Sequence, residues 1–182
     1  MDREEILASI DANVQEKDMR KHMLAAEAIM RALARRFGED EDEWGFTGLL
    51  HDIDVELVED DPESHSKLGA DIAEELGGSE AMCHAILCHN ESHGIPRETK
   101  LDKALLCADQ LSQLIIAAGL AHANELKGLT ARSVLKRLKE NAAASEVTRE
   151  RMERCQEIGL RLEELVALGL KGIKEIATDL EL

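Results

Sequence analysis

A chain of 182 residues, 44% hydrophobic and 33% charged, is sized for one domain and can bury a core without covalent staples. Its 38 acidic and 22 basic side chains leave a formal charge of −16 at pH 7, which repels nucleic acid and anionic membranes at long range. No tyrosine, two phenylalanines and one tryptophan give no aromatic platform for stacking bases, whereas a small anionic substrate is admissible given a local positive centre such as a metal ion.

Helical periodicity runs through the chain without a convincing alternating strand, and two prolines barely interrupt it, so the expected fold is all-α. The charged start "MDREEILASID" lacks the apolar core of a signal segment and opens a short helix over about Arg3–Gln15. A longer helix follows from about Met19 to Phe37 and stops at Gly38, a natural C-cap. Asp40 with Glu43 reads as a capping box for the helix that carries "EWGFTGLL" into the pair His51-Asp52. Asp61-Pro62 reads as N-cap and first residue of a helix ending at Gly77-Gly78, and Ser79 as the cap of another running to about Asn90. After the loop "ESHGIPRET" comes an apolar helix near Leu101–Ala121. The remainder, about 130–182, predicts two or three helices, with Thr148 as a cap. There Ile158, Leu162, Leu165, Ile173 and Ile176 form a face for the core or for a second copy of the chain.

Cys83, Cys88, Cys107 and Cys155 all fall in predicted helices and form no CxxC pair, which excludes a zinc knuckle and a thioredoxin motif and leaves buried free thiols. No apolar run approaches membrane-spanning length, so a soluble, cytoplasmic protein is expected.

The informative polar residues stand on apolar faces. His22 shares a stripe with Ala26, Ile29 and Leu33; His65 with Leu68, Ile72 and Leu76; His89 with Met82, Ala85 and Ile86. Asp109 lies with Leu105, Ser112 and Ile116, in a stretch free of lysine and arginine. A lone histidine on such a face is ordinarily a hydrogen-bonded core residue. A carboxylate there must be paired or neutralised, either by a distant arginine or by a metal. Four helices each turning one histidine or aspartate inward, with a fifth ending in His51-Asp52, favour the metal. Imidazole and carboxylate accept divalent iron, manganese, zinc, nickel or cobalt.

The ordered set of His22, His51-Asp52 in "GLLHDID" and Asp109 in "KALLCADQL" resembles the HD-domain metal-dependent phosphohydrolases. The resemblance extends from "KHMLAAEAIM" to "ADQLSQLI". It implies an all-helical bundle in one domain over 1–182, with a core of about 19–121 and a helical extension of about 130–182. Some members carry histidines between HD and the last aspartate that bind a second metal. "SHSKLGA" and "AILCHNESHGIP" are similar to those segments, which implies His65 and His89 as further ligands. Asn90 and Ile95 depart from the HHE…GYP pattern of cyclic dinucleotide phosphodiesterases, and Val55 stands where related enzymes often place a lysine. The implied activity is metal-dependent hydrolysis of a phosphoester or phosphoanhydride in a small nucleotide-like substrate by a metal-activated hydroxide, with one or two ions and Asp52 as the bridge.

Asp54, two residues past Asp52, is a candidate proton donor or ligand-orienting group, or a solvated turn carboxylate. Glu91 is either a ligand-orienting residue or an exposed loop glutamate. Arg97, Lys100 and Lys103 are the local candidates for gripping phosphate, with surface ion pairing as the alternative. His84 and Cys88 form an i, i+4 pair of ligand type but fall away from the His89 stripe, while His93 and His122 read as structural. Two other functions fit the same ligands: a di-iron oxygenase, and a non-catalytic metal-dependent regulatory module.

Overall fold

The computed structural model of the protein describes residues 1–59, 61–120, 125–140, 145–178 and 180. Among them are ten α-helices and no strand: α1 (Arg3–Asn13), α2 (Lys17–Phe37), α3 (Glu41–Leu50), α4 (Lys67–Glu75), α5 (Glu80–His89), α6 (Lys100–Leu120), α7 (Glu125–Gly128), α8 (Ala131–Glu140), α9 (Ser145–Glu153) and α10 (Leu162–Glu175). The fold is all-α. Among the described residues, no helix is long and apolar enough to cross a membrane.

Central helix α2 separates two apolar cores. On one side Ile6, Ile10, Met23, Leu49, Leu50, Ile53 and Ile86 join α1, α2, α3 and α5. On the other, Ile29, Leu33, Leu105, Leu111, Ile115, Leu165 and Ile173 join α2, α6 and α10. The alternation is written into α2 itself, whose alanines 25, 26, 28, 32 and 34 are buried and keep its neighbours close. The face named in the C-terminal part serves the chain's own core: Ile158, Leu165 and Ile173 are buried, with Leu162 and Ile176 packed against them.

Helix ends follow local capping where the sequence supplies it. Gly38 adopts φ 71° and closes α2 on the Ala34 carbonyl. Asp40 accepts from the Asp42 and Glu43 amides. Glu43 does not complete a capping box, however, because its carboxylate accepts the Ser79 hydroxyl at 2.7 Å.

Three expectations need correction. The segment after Pro62 is a succession of turns, and its helix begins only at Lys67. His65 therefore stands in the turn before α4 and not on a helical stripe, and its supposed neighbour Leu68 is exposed. Thr148 lies inside α9 and so does not cap it. Cys155 sits in a 3₁₀ turn after α9, although all four cysteines are free, as expected. Burial pushes the thiols of Cys88 and Cys155 up to about 12 and about 11, so both are neutral packing groups in the ion-free protein. His122 and Ala121 lie outside the described residues.

Candidate metal centre

The centre forms where α2, α3, α5 and α6 meet, and close backbone packing sets its dimensions. A Cβ on Gly48 would stand 2.8 Å from the Ala26 carbonyl oxygen, so only glycine lets α3 approach α2 this closely. One turn later α3 ends at His51, followed directly by Asp52, and both are buried.

Each of four histidines is held by its Nδ1. His51 Nδ1 donates to the Gly48 carbonyl at 2.8 Å, and His89 Nδ1 to the Ile86 carbonyl at 2.6 Å. His65 Nδ1 donates to Asp54 Oδ1 at 2.8 Å. The Ser112 hydroxyl donates to the Asp109 carbonyl at 2.6 Å and therefore accepts from His22 Nδ1 at 2.8 Å. With Nδ1 engaged in all four rings, Nε2 is the nitrogen left to face inward, with a lone pair wherever the ring is neutral.

Those four Nε2 atoms converge on Asp52. His22 and His51 lie 3.2 and 3.3 Å from its Oδ2, while His89 and His65 lie 3.3 and 3.5 Å from its Oδ1. Asp109 Oδ1 stands 3.4 Å from His22 Nε2 and 3.9 Å from His51 Nε2. His22 Nε2 and His51 Nε2 are only 3.0 Å apart. Two imidazole lone pairs do not face each other at that distance without a cation between them. A proton is the minimal answer, and the charges around His51 favour one there. Burial alone would lower His51, but the Asp52 charge and hydrogen bonds with Asp109 and Asp52 hold it well above the usual imidazole value. Asp52 is opposed by burial in the same way, yet His51, His22 and His89 hold it well below the carboxylate range. Among the described residues, the ion pairs of Asp52 and Asp109 are with histidine, not with lysine or arginine. The distant arginine considered for Asp109 is thus not its partner.

A buried group of imidazole nitrogens and carboxylate oxygens, all acceptors, fits a divalent cation. His22, His51 and Asp109 can hold one, as can His51, Asp52 and His89, since the ligand atoms of each group lie within 4.8 Å of one another.

Asp54 is fully buried, which removes the solvated-turn reading. Its Oδ1 takes His65 Nδ1, and its Oδ2 accepts from the Ser66 and Gly69 amides at 2.7 and 2.8 Å. Both oxygens are occupied in holding structure, which favours the ligand-orienting reading of Asp54 over the proton-donor one. A Cβ on Gly69 would come within 3.2 Å of this carboxyl group. The amides of Ser66 and Gly69 open α4, so Asp54 caps that helix from a distance and delays its start to Lys67. Ser66 adopts φ 73°, an uncommon conformation for a residue with a Cβ.

Of the two readings of the basic residues, the structure favours ion pairing. Arg97 has a side chain 7% exposed, donates to the His89 carbonyl at 3.0 Å and pairs with Glu91 at 3.4 Å. Lys100 pairs with Glu39 at 2.8 Å, and Lys103 lies 3.7 Å from Glu157. None of the three is a free cation facing Asp52; Arg97 braces His89 through its backbone. Glu91 also pairs with Arg151 at 2.7 Å, so its partners are arginines and not a ligand. His93 donates to the His65 carbonyl at 2.7 Å, a structural contact as expected.

Ser112 and Ser66 were not singled out by sequence. Ser112 did share the inward face of Asp109, and a hydroxyl on an apolar stripe was the available signal. Ser66 carried none, because its contacts, including the 3.3 Å approach of its hydroxyl to His89 Nδ1, come from a non-helical turn.

Over 92 residues the chain is 33% identical to Ribonuclease Y of Oleidesulfovibrio alaskensis, covering 50% of this chain and 17% of that protein. Ribonuclease Y of Lawsonia intracellularis is 32% identical over 92 residues, covering 50% and 18%. The chain thus spans less than one fifth of the length of these relatives. No solved structure matches it significantly. The profile of the HD domain matches residues 19–163, which include every histidine and aspartate of the centre, and the chain belongs to the HD-domain family.

Proposed function

We propose that the centre holds two divalent transition-metal ions and hydrolyses a phosphoester or phosphoanhydride of a small nucleotide-like molecule. The observation that carries this reading is the division of Asp52. Its Oδ2 faces His22 and His51, and its Oδ1 faces His65 and His89. A carboxylate with one imidazole pair on each oxygen suits a bridge between two ions, with Asp109 completing the His22–His51 side. When bound, such ions lower the pKa of a water and neutralise charge developing on phosphoryl oxygen.

The chain's own groups prepare that chemistry. Asp54, Ser112 and the Gly48 and Ile86 carbonyls fix four imidazole planes, so the lone pairs are aimed before any ion arrives. With Arg97, Lys100 and Lys103 engaged elsewhere, the ions supply the positive charge that attracts an anionic substrate. Iron, manganese, zinc, nickel and cobalt all accept this donor set.

The relatives are named as ribonucleases, which supports phosphodiester chemistry. The formal charge of −16 and the scarcity of aromatic residues weigh against a long polynucleotide as this chain's substrate. The test combines metal analysis of the purified protein with a screen of nucleoside phosphates, dinucleoside polyphosphates, cyclic nucleotides and a short RNA, each with added manganese, iron, cobalt, nickel or zinc. Chelator-sensitive phosphate release from a small nucleotide is expected. Cleavage confined to RNA would move the substrate to polynucleotides, and dioxygen consumption without hydrolysis would replace the hydrolase by an oxygenase.

A further inference from the structure

Helix α5 carries ligand-type side chains outside the Asp52 centre. His89 reaches Asp52, while His84 and Cys88, one turn apart, meet Asp102 in the first turn of α6. One Nδ1 or Nε2, one Sγ and one carboxylate oxygen lie within 4.8 Å of one another here. His84 Nδ1 stands 3.3 Å from Asp102 Oδ1.

Asp102 supplies the independent observation. Its side chain is 0% exposed, and its Oδ2 accepts from the Glu98 and Thr99 amides at 2.9 and 2.8 Å, an ordinary capping arrangement. Its Oδ1 is buried without a hydrogen-bond partner and turned toward His84. The contact with His84 lacks hydrogen-bond geometry, so His84 engages this oxygen by charge alone. A buried carboxylate oxygen without a hydrogen bond is destabilising, and a cation bound there removes that cost.

We propose that His84, Cys88 and Asp102 form a second metal site of zinc type, separate from the Asp52 centre, which ties α5 to α6. One nitrogen, one sulfur and one oxygen donor suit a borderline-soft ion, and thiolate selects against magnesium or calcium. In tetrahedral coordination such ligand atoms lie about 3.3–3.6 Å apart, so a modest contraction closes the site. His84 supplies the movement, because its side chain is 34% exposed while those of Cys88 and Asp102 are buried. The fourth position falls to a water on the His84 side. Occupancy would clamp Cys88, the residue preceding His89, and so steady the helix end that delivers His89 to Asp52.

Cobalt titration of the metal-stripped protein tests this with a readout independent of activity. The Asp52 centre contains no sulfur, so thiolate-to-cobalt charge-transfer absorption in the near ultraviolet reports this site alone. The band is expected in the wild type, in Cys83→Ser and in Asp52→Asn. It should vanish in Cys88→Ser, and His84→Gln, at a solvent-exposed position, should weaken cobalt binding by more than about tenfold. Circular dichroism of Cys88→Ser separates loss of a ligand from loss of fold. No band at saturating cobalt, a band surviving in folded Cys88→Ser, or one unchanged in His84→Gln overturns the proposal. Persistence of the band in Asp52→Asn makes this result independent of the outcome at the Asp52 centre.

Discussion

Two buried acids, Glu27 on α2 and Asp52 after α3, meet the same physical problem in different ways. The Glu27 side chain is 5% exposed and accepts parallel bonds from Arg3 Nε and Nη2, both at 2.9 Å, and a third from Arg31 Nε at 3.0 Å. Permanent cations with five donors each leave it nothing to bind. Asp52, 13% exposed at the side chain, is ringed by imidazoles that donate elsewhere through Nδ1 and present lone pairs inward. Burial of charge is common to both. What marks a metal site is a shell of acceptors with no permanent cation in it.

The comparison breaks most sharply at Asp52 itself. Asp52→Asn should lose most of the bound metal and lower kcat/KM by roughly a thousandfold, the equivalent of several kcal/mol of charge stabilisation. Metal content by mass spectrometry and initial rates measure both, and a metal-replete, active variant would remove Asp52 from the centre. Next, Ser112→Ala frees His22 Nδ1 while sparing the ligand itself. A loss of about 10–100-fold in metal affinity is expected, as for other groups that orient a ligating histidine. Unchanged affinity would mean that packing alone holds the ring.

Protons should compete with metal at one acid only. In the ion-free protein the raised His51 contributes stability that is full below 6.5 and lost as pH rises through its folded value. The lowered Asp52 contributes stability present above 3.8 and lost as pH falls through its folded value. The chelated protein should therefore melt highest between roughly pH 4 and 6.5, and metal should move that optimum upward, since binding displaces the His51 proton. A chelated protein that melts higher at pH 8 than at pH 5 would contradict the pairing. The smallest effect belongs to the arginine-paired acid. Arg31→Ala leaves Glu27 with Arg3 and should cost about 1–2 kcal/mol in denaturant unfolding without altering metal content. A loss of metal there would mean the two acids are not independent.

Much of the centre was legible because its ligands obey helical periodicity. His22, His89 and Asp109 fall on inward stripes, and the structure turns all three inward. His65 escaped that logic, since its helix begins only after it; the family resemblance, not the stripe, pointed to it. The reason lies in Asp54, whose carboxylate takes the amides of Ser66 and Gly69 across 12 and 15 residues. Such a cap is invisible to rules that look three residues ahead. The partners of the basic residues are hidden for a related reason. Lys100 meets Glu39 across 61 residues, and sequence adjacency to His89 says nothing of that pairing.

The bond between Ser112 and His22 joins residues 90 apart where α6 packs on α2. Such a contact is rewarded only after the loop entropy of the intervening chain has been overcome. An ion therefore has no complete cradle to nucleate, and the polypeptide must fold with its lone pairs already facing one another. On the proposed reading, metal binding would displace the His51 proton, so metal availability should govern activation of the protein more than its folding yield.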